Sequence, residues 1–280
     1  MIELKNLTKK FDDFTAVDHL SLRIETGEFF GLLGPNGAGK TTTISMMSTV
    51  LLPTEGEIWI DGQRLDRKAS TQKRKLSVIT QEYTMRQDMN MDEVMEYQGR
   101  LYFLPRKVIK QRTDELLAFA GLIEYRHRTV RHLSGGMKRK LMICRARMIE
   151  PEILLLDEPT AGMDALSRRQ MWNLLRRVNG DKMTILLTTH YIEEAQALCG
   201  RVALINQGRL QKLDSPENLI HELGAFAVDE TSNDSLVSRY FHDRDDAIAY
   251  LARAGRDATL RATTLEDVFL SVAGRGLEGK

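Results

Sequence analysis

Four short clusters of chemically capable residues punctuate the chain, and their order carries as much information as their composition. GPNGAGKT occupies residues 34–41, LSGG 133–136 and ILLLDEP 153–159, and a lone TTH ends at His190. In the first cluster Gly34, Pro35, Asn36, Gly37, Ala38 and Gly39 lead into Lys40, Thr41 and Thr42. Three glycines let successive backbone N–H groups turn toward an anion where a Cβ would crowd it, and a helix starting at Lys40 adds its partial positive end. Lys40 then supplies a point charge for β- and γ-phosphates, and Thr41 a hydroxyl for a magnesium ion. In the third cluster an acidic pair ends an aliphatic run, which is where ligands gather in open α/β sheets. Asp157 is suited to the magnesium shell, and Glu158 is free to polarise an attacking water as general base.

Such groups need elements to hold them. Residues 28–33 (EFFGLL) and 153–156 read as short buried strands, and 40–47 as the helix behind the glycine turn. The apolar stretch 76–79 precedes Gln81, and the strand-like run 183–189 ends beside His190. Taken alone, Gln81 is an ordinary polar surface residue and His190 an ordinary residue after a strand. Their places in the order of motifs make them candidates.

LSGGMKRK at 133–140 resembles the signature of ATP-binding cassette (ABC) ATPases, and its distance from the two phosphate motifs fits that family; Met137 stands where glutamine is most often found. The resemblance implies an α/β fold: a P-loop NTPase core with a mixed sheet flanked by helices, a helical insert and, in this chain, a small C-terminal α+β appendix. It implies that Ser134, Gly135 and Gly136 present a hydroxyl and backbone N–H groups to the γ-phosphate held by the opposite subunit. By the same likeness Gln81 senses magnesium and the attacking water beside the groove for a membrane subunit, Asp164 in AGMD crosses a dimer interface, and His190 is the switch histidine on the γ-phosphate. Phe11 falls where the family places an aromatic ring against adenine, and Phe14 is its competitor. The implied ligands are ATP and Mg2+, with Thr41, Gln81 and Asp157 on the metal and Lys40, Gln81, Glu158 and His190 in catalysis. The implied partners are a separate transmembrane permease subunit and a second ATPase subunit, identical or paralogous, docked head to tail.

Composition agrees with a soluble, cytosolic subunit, which the resemblance implies is held at the cytoplasmic face of the cell membrane. Apolar residues make up 42% and charged ones 28% of 280, and no apolar run approaches the ~20 residues needed to span a bilayer. The opening MIELKNLTKKF alternates like a strand and lacks the layout of a signal peptide. A formal charge of +1 argues against an electrostatic nucleic-acid binder. Cys144 and Cys199 have no CxxC or CxxH spacing and read as small buried hydrophobes. The basic stretch 64–75 reads as a solvated face. The competing class is a non-transport ABC ATPase acting on DNA or the ribosome. Against it stand the absence of sustained heptads, expected of the DNA-acting members, and the presence of one set of motifs rather than two.

The core is expected over residues 1–213, with a helical insert at about 91–130, and an accessory region over 214–280. Beyond 213 the pattern predicts a helix over 216–223 capped by Ser215, strands over 225–229 and 258–262, and helices over 244–254 and 263–272. TTLEDVFLSVAGRGLE at 263–278 and GRLYFLP at 99–105 resemble the ABC ATPases of daunorubicin-resistance and nodulation-factor exporters. Met85, Met89, Met91 and Met95, with Tyr97, Tyr102 and Phe103, allow two readings: the core of the insert, or an adaptable groove for a helix of the membrane subunit.

Overall fold

The computed structural model describes residues 1–180, 182–232, 235–254 and 258–274. The chain begins as a hairpin, β1 (Ile2–Phe11) and β2 (Phe14–Ile24), and enters the central sheet as β3 (Phe29–Leu33) before helix α1 (Lys40–Met47). Strands β4 (Glu55–Ile60) and β5 (Gln63–Arg64) return to the hairpin, and α2 (Ser70–Arg74) leads into β6 (Leu76–Ile79). The insert comprises α3 (Met91–Leu101), α4 (Arg106–Phe119) and two 3-10 turns. It feeds α5 (Gly135–Arg147), β7 (Ile153–Asp157), α6 (Ala165–Asn179) and β8 (Thr184–Thr189). Helix α7 (Ile192–Leu198), β9 (Arg201–Asn206), β10 (Arg209–Asp214) and α8 (Pro216–Leu223) follow. The last stretch is β11 (Phe226–Ser232), β12 (Ser235–Phe241), α9 (Arg244–Ala254), β13 (Thr259–Ala262) and α10 (Leu265–Gly274).

The six-stranded sheet runs β10-β9-β3-β8-β7-β6, parallel except for the terminal β9–β10 pair. Strands such as β7 and β8 are buried on both faces, which is why ILLL and TILL read as continuous apolar runs rather than alternations. Alternate residues serve different cores. Phe29 and Leu33 join Leu154, Leu156, Ile185 and Leu187 in a cluster with α5, α6 and the insert; Phe30 and Leu32 join Leu155 and Leu186 in a second cluster with α1 and the antiparallel sheet β2-β1-β4-β5. That antiparallel sheet is separate from the six-stranded mixed sheet. Cys144 and Cys199 are both buried in the first cluster.

The insert is tied down polar end first. Asn90 and Glu93 form a reciprocal capping box at the start of α3, and Arg126 bridges Asp92 and Asp114, each at 2.8 Å. Helix α4 lies so close to α3 that a Cβ on Gly99 would sit 2.5 Å from Ile109 Cγ1, so the glycine of GRLYFLP is a packing requirement. The methionines divide against the groove reading: Met85, Met91 and Met95 are buried and Met89 packs on the same core. What this region exposes is aromatic and aliphatic, namely Tyr97, Leu101, Tyr102 and Phe103, the last 90% exposed and in the left-handed backbone region (φ 59°).

Helix α8 occupies 216–223 with the Ser215 hydroxyl accepting from Asn218 N–H, as its sequence predicts. The three-stranded antiparallel sheet β12-β11-β13 follows; β12 escaped the sequence reading, and α10 begins two residues later than expected. Leu265 and Val268 of α10 belong to the same apolar cluster as the central sheet, with Leu219 of α8. The predicted end of the accessory region, 275–280, lies outside the described residues. Among the described residues no helix is long and apolar enough to cross a membrane.

Candidate nucleotide site

Four neighbouring parallel strands, β3, β8, β7 and β6, end at one edge of the sheet, and each delivers a different chemical group there. The glycine turn follows β3, His190 follows β8, Asp157 ends β7 with Glu158 directly after it, and Gln81 follows β6. A cavity of about 570 Å³ opens at this edge, lined among others by Asn36, Gly39, Lys40, Thr41, Gln81, Glu158 and His190. Gly37 and Thr42 also line it, whereas Gly34, Pro35 and Ala38 form the turn behind. Gly39 enables the tight entry into α1: its φ is 99°, and a Cβ would stand 2.4 Å from the Ala16 carbonyl oxygen.

Lys40 is 4% exposed, and its ammonium donates to the carbonyls of Gly34 (2.9 Å) and Pro35 (3.1 Å) while lying 3.4 Å from Glu158 Oε1. Glu158 thus stands between two nitrogens, with His190 Nδ1 3.1 Å from Oε2. The ring is not aimed at the carboxylate: despite that short distance, Nδ1 is buried with no hydrogen-bond partner among the described residues. The contact is therefore one of proximity, not of a formed hydrogen bond. Asp157 Oδ1 accepts from Thr41 Oγ1 (3.2 Å) and Thr188 Oγ1 (2.6 Å). These hydroxyl and carboxylate oxygens, and the amide oxygen of Gln81 on the cavity wall, are hard donors of the type that magnesium accepts.

Glu158 has φ 47°, a left-handed conformation uncommon outside glycine and asparagine. It is held there because its N–H donates to both the Thr188 carbonyl (3.1 Å) and the Thr188 hydroxyl (3.2 Å). Strain maintained by surrounding bonds in this way is a mark of functional positions. Thr188 is a residue the sequence reading missed, although it sits inside the TTH motif that was singled out for its histidine.

Other expected residues lie elsewhere. Ser134 is the N-cap of α5, its hydroxyl accepting from Met137 N–H (3.2 Å), and neither it nor Gly135 nor Gly136 lines the cavity. Asp164 caps α6 through Ser167, whose hydroxyl and N–H hold its carboxyl below the usual range. The two caps are neighbours, since a Cβ on Gly136 would meet Ser167 Oγ at 3.9 Å. Of the two aromatic candidates, Phe14 lines the cavity and Phe11 does not. The two residues are direct partners at the end of the β1–β2 pair, and Phe14 lines the cavity together with Ala16, two positions on along β2. Phe11 instead lies under the Lys9 ammonium at 5.0 Å. Also beyond the sequence reading, Tyr191 lines the cavity. Glu194 is wholly buried, accepts from Thr160 (2.8 Å) and Trp172 (3.1 Å), and has its carboxyl pushed up by burial.

The family model described as ABC transporter matches residues 17–161. A Nod factor export ATP-binding protein I from Cupriavidus metallidurans is 34% identical over 98% of this chain and 98% of its own. A daunorubicin resistance ATP-binding protein from Streptomyces coeruleorubidus is 32% identical over 98% of this chain and 96% of its own. Among solved structures, a dimeric post-hydrolysis ATP-binding cassette bound to ADP and Pi aligns with TM-score 0.68 at 28% identity, over 77% of this chain and 98% of its own. A cassette from a transporter complex of Clostridium perfringens aligns with TM-score 0.73 at 26% identity, over 79% and 90%. With its phosphate turn, acidic pair, glutamine and histidine gathered on one sheet edge, and with these relatives along almost its whole length, the chain belongs to the ABC transporter family as an ATP-binding cassette ATPase.

Proposed function

We propose that this chain is the motor of an exporter, hydrolysing ATP at the sheet edge and passing the resulting movement to a separate membrane-spanning subunit. The observation that carries the reading is the convergence of Lys40, Thr41, Gln81, Glu158 and His190 on one cavity. Its relatives' names, which speak of Nod factor export and of daunorubicin and linearmycin resistance, support outward transport. Lys40 and the backbone N–H groups of residues 36–41 hold the phosphates. Thr41, Gln81 and Asp157 would hold magnesium, which supplies charge neutralisation at the β- and γ-oxygens. Glu158 orients and deprotonates the attacking water, and His190 faces the γ-phosphate, leaving its present place beside Glu158. An aromatic ring from the hairpin tip, Phe14, covers the adenine.

The reading includes two kinds of partner. A second ATPase subunit brings Ser134, Gly135, Gly136 and Asp164 to the phosphate from across a twofold axis, since these residues stand outside the chain's own cavity. The membrane subunit seats a cytoplasmic helix against the exposed side chains of the insert, Tyr97, Leu101, Tyr102 and Phe103. In this reading residues 1–213 are the motor and residues 214–280 the accessory segment. Cysteines placed singly from 85 to 103 test the arrangement in the complex with the membrane subunit. Crosslinks are expected at 97 and 101–103 and not at the buried positions 91 and 95; failure at every position ends the docking reading.

A further inference from the structure

One buried charge has no function in the reaction described so far. Arg139, on the second turn of α5, is 2% exposed, and among the described residues no carboxylate stands within ion-pair distance of it. Removing a guanidinium from water with no carboxylate in contact costs several kcal/mol by general experience, and burial here pulls its pKa below the ordinary arginine value, only partly offset by the charges of Tyr83, Asp157 and Glu194. What the side chain obtains in return is specific. One terminal nitrogen donates to the Thr80 carbonyl (2.6 Å) and the other to the Gln81 carbonyl (2.8 Å). The planar fork thus grips two successive carbonyls where the backbone has left β6 and has no strand partner. The Tyr83 ring lies over the same guanidinium at 5.2 Å, and the Tyr83 hydroxyl donates to the Gly135 carbonyl at 3.2 Å. Arg145, two turns on, reaches the Thr84 carbonyl (3.1 Å) and hydroxyl (2.8 Å).

We propose that Arg139, with Tyr83, is a positioning residue that clamps the Gln81 loop to the helix starting at the signature serine, so that the chain's own phosphate site and the surface it offers to its partner's phosphate move as one body. The proposal rests on the nucleotide-site reading above. Gln81 lines the cavity, and Ser134 caps the helix that carries Arg139. A change felt at Gln81 is therefore transmitted to Ser134 through two short links rather than through the length of the insert. The orphan carbonyls also explain the choice of residue: an ammonium offers no planar pair of donors to two neighbouring oxygens, and an apolar side chain leaves both unsatisfied.

The test is a mutant cycle in the full-length chain, reading steady-state ATP hydrolysis and nucleotide affinity. Arg139→Lys keeps the charge and loses the fork; it is expected to lower kcat by about 10-fold to 100-fold, the upper end being the scale of a group misplaced by about 1 Å, with KM for ATP within about twofold. Because Arg139 acts through Gln81, the same substitution in a Gln81→Ala background is expected to cost less than about twofold more. Tyr83→Phe, at a part-exposed site where folding is not at stake, removes only the hydroxyl link and repeats the test if Arg139→Lys does not fold. Wild-type kcat in the single variants, or losses that multiply fully in the Gln81→Ala background, would overturn the clamp. A wild-type chain that does not hydrolyse ATP would instead overturn the motor reading on which it stands.

Discussion

At Glu158 the sequence, the backbone and the reaction meet. The carboxylate lies between Lys40 and His190, and its main chain is held at φ 47° by two bonds from one N–H to Thr188. Replacing it with glutamine keeps that backbone and the side chain's shape but removes the proton acceptor. Turnover in Glu158→Gln is expected to fall by about 100-fold to 10,000-fold while nucleotide affinity stays near wild type. Rapid-quench ATP hydrolysis beside equilibrium nucleotide binding separates the two quantities. Near-normal hydrolysis would assign the base elsewhere, with Asp157 the alternative at the same strand end.

The elements of the C-terminal segment are joined by charge as much as by apolar contact. Arg261 on β13 pairs with Asp229 on β11 (2.6 Å) and with Asp267 on α10 (2.7 Å), and Asp267 also accepts from the backbone and hydroxyl of Thr264. Burial pushes the Asp267 carboxyl up, yet the bonds from Arg261 and Thr264 outweigh it and hold the group at about 2, below its ordinary 3.8. A carboxyl depressed in the fold takes up a proton more readily when unfolded. Its stabilising contribution is therefore complete above about pH 4 and fades as pH falls toward about 2. Circular-dichroism melts across that window are expected to show a steeper loss for wild type than for Asp267→Asn. Parallel curves would mean that other carboxylates govern the acid limit.

For the molecule as a whole, the decisive fact is a separation. Ser134, Gly135 and Gly136 are built as a helix N-terminus open to an anion, but they do not line the cavity that Lys40 serves. Two chains related by a twofold axis would complete two sites at once, each with Lys40 from one chain and Ser134 from the other. Ser134→Arg puts a bulky cation at the trans position and removes the cap of α5. It is expected to abolish turnover and leave nucleotide affinity of the isolated chain nearly unchanged. Specific activity of wild type should rise with protein concentration. Activity equal to wild type in the arginine variant, or wild-type activity independent of concentration in a demonstrated monomer, would remove the sandwich.

Local chemistry was legible in the sequence because it depends on short spacing. The glycine turn with its helix at 40–47, the acidic pair after four aliphatic residues and the Ser215 cap are each set by contacts within a few residues, and each appears where the pattern put it. The order of the motifs likewise led to the family. Strand order belongs to tertiary structure: nothing local says that β3, β8, β7 and β6 are neighbours, yet that order is what brings Lys40, His190, Glu158 and Gln81 together. That Phe14 lines the cavity and Phe11 does not is likewise a matter of tertiary placement, and the fate of the methionines turned on how closely α3 and α4 pack. Arg139 was unreadable for the same reason. In a line of letters it is one more basic residue after the signature, and only the fold, by bringing two unpaired carbonyls from some 58 residues away within 2.8 Å of its guanidinium, gives that charge a reason to be buried.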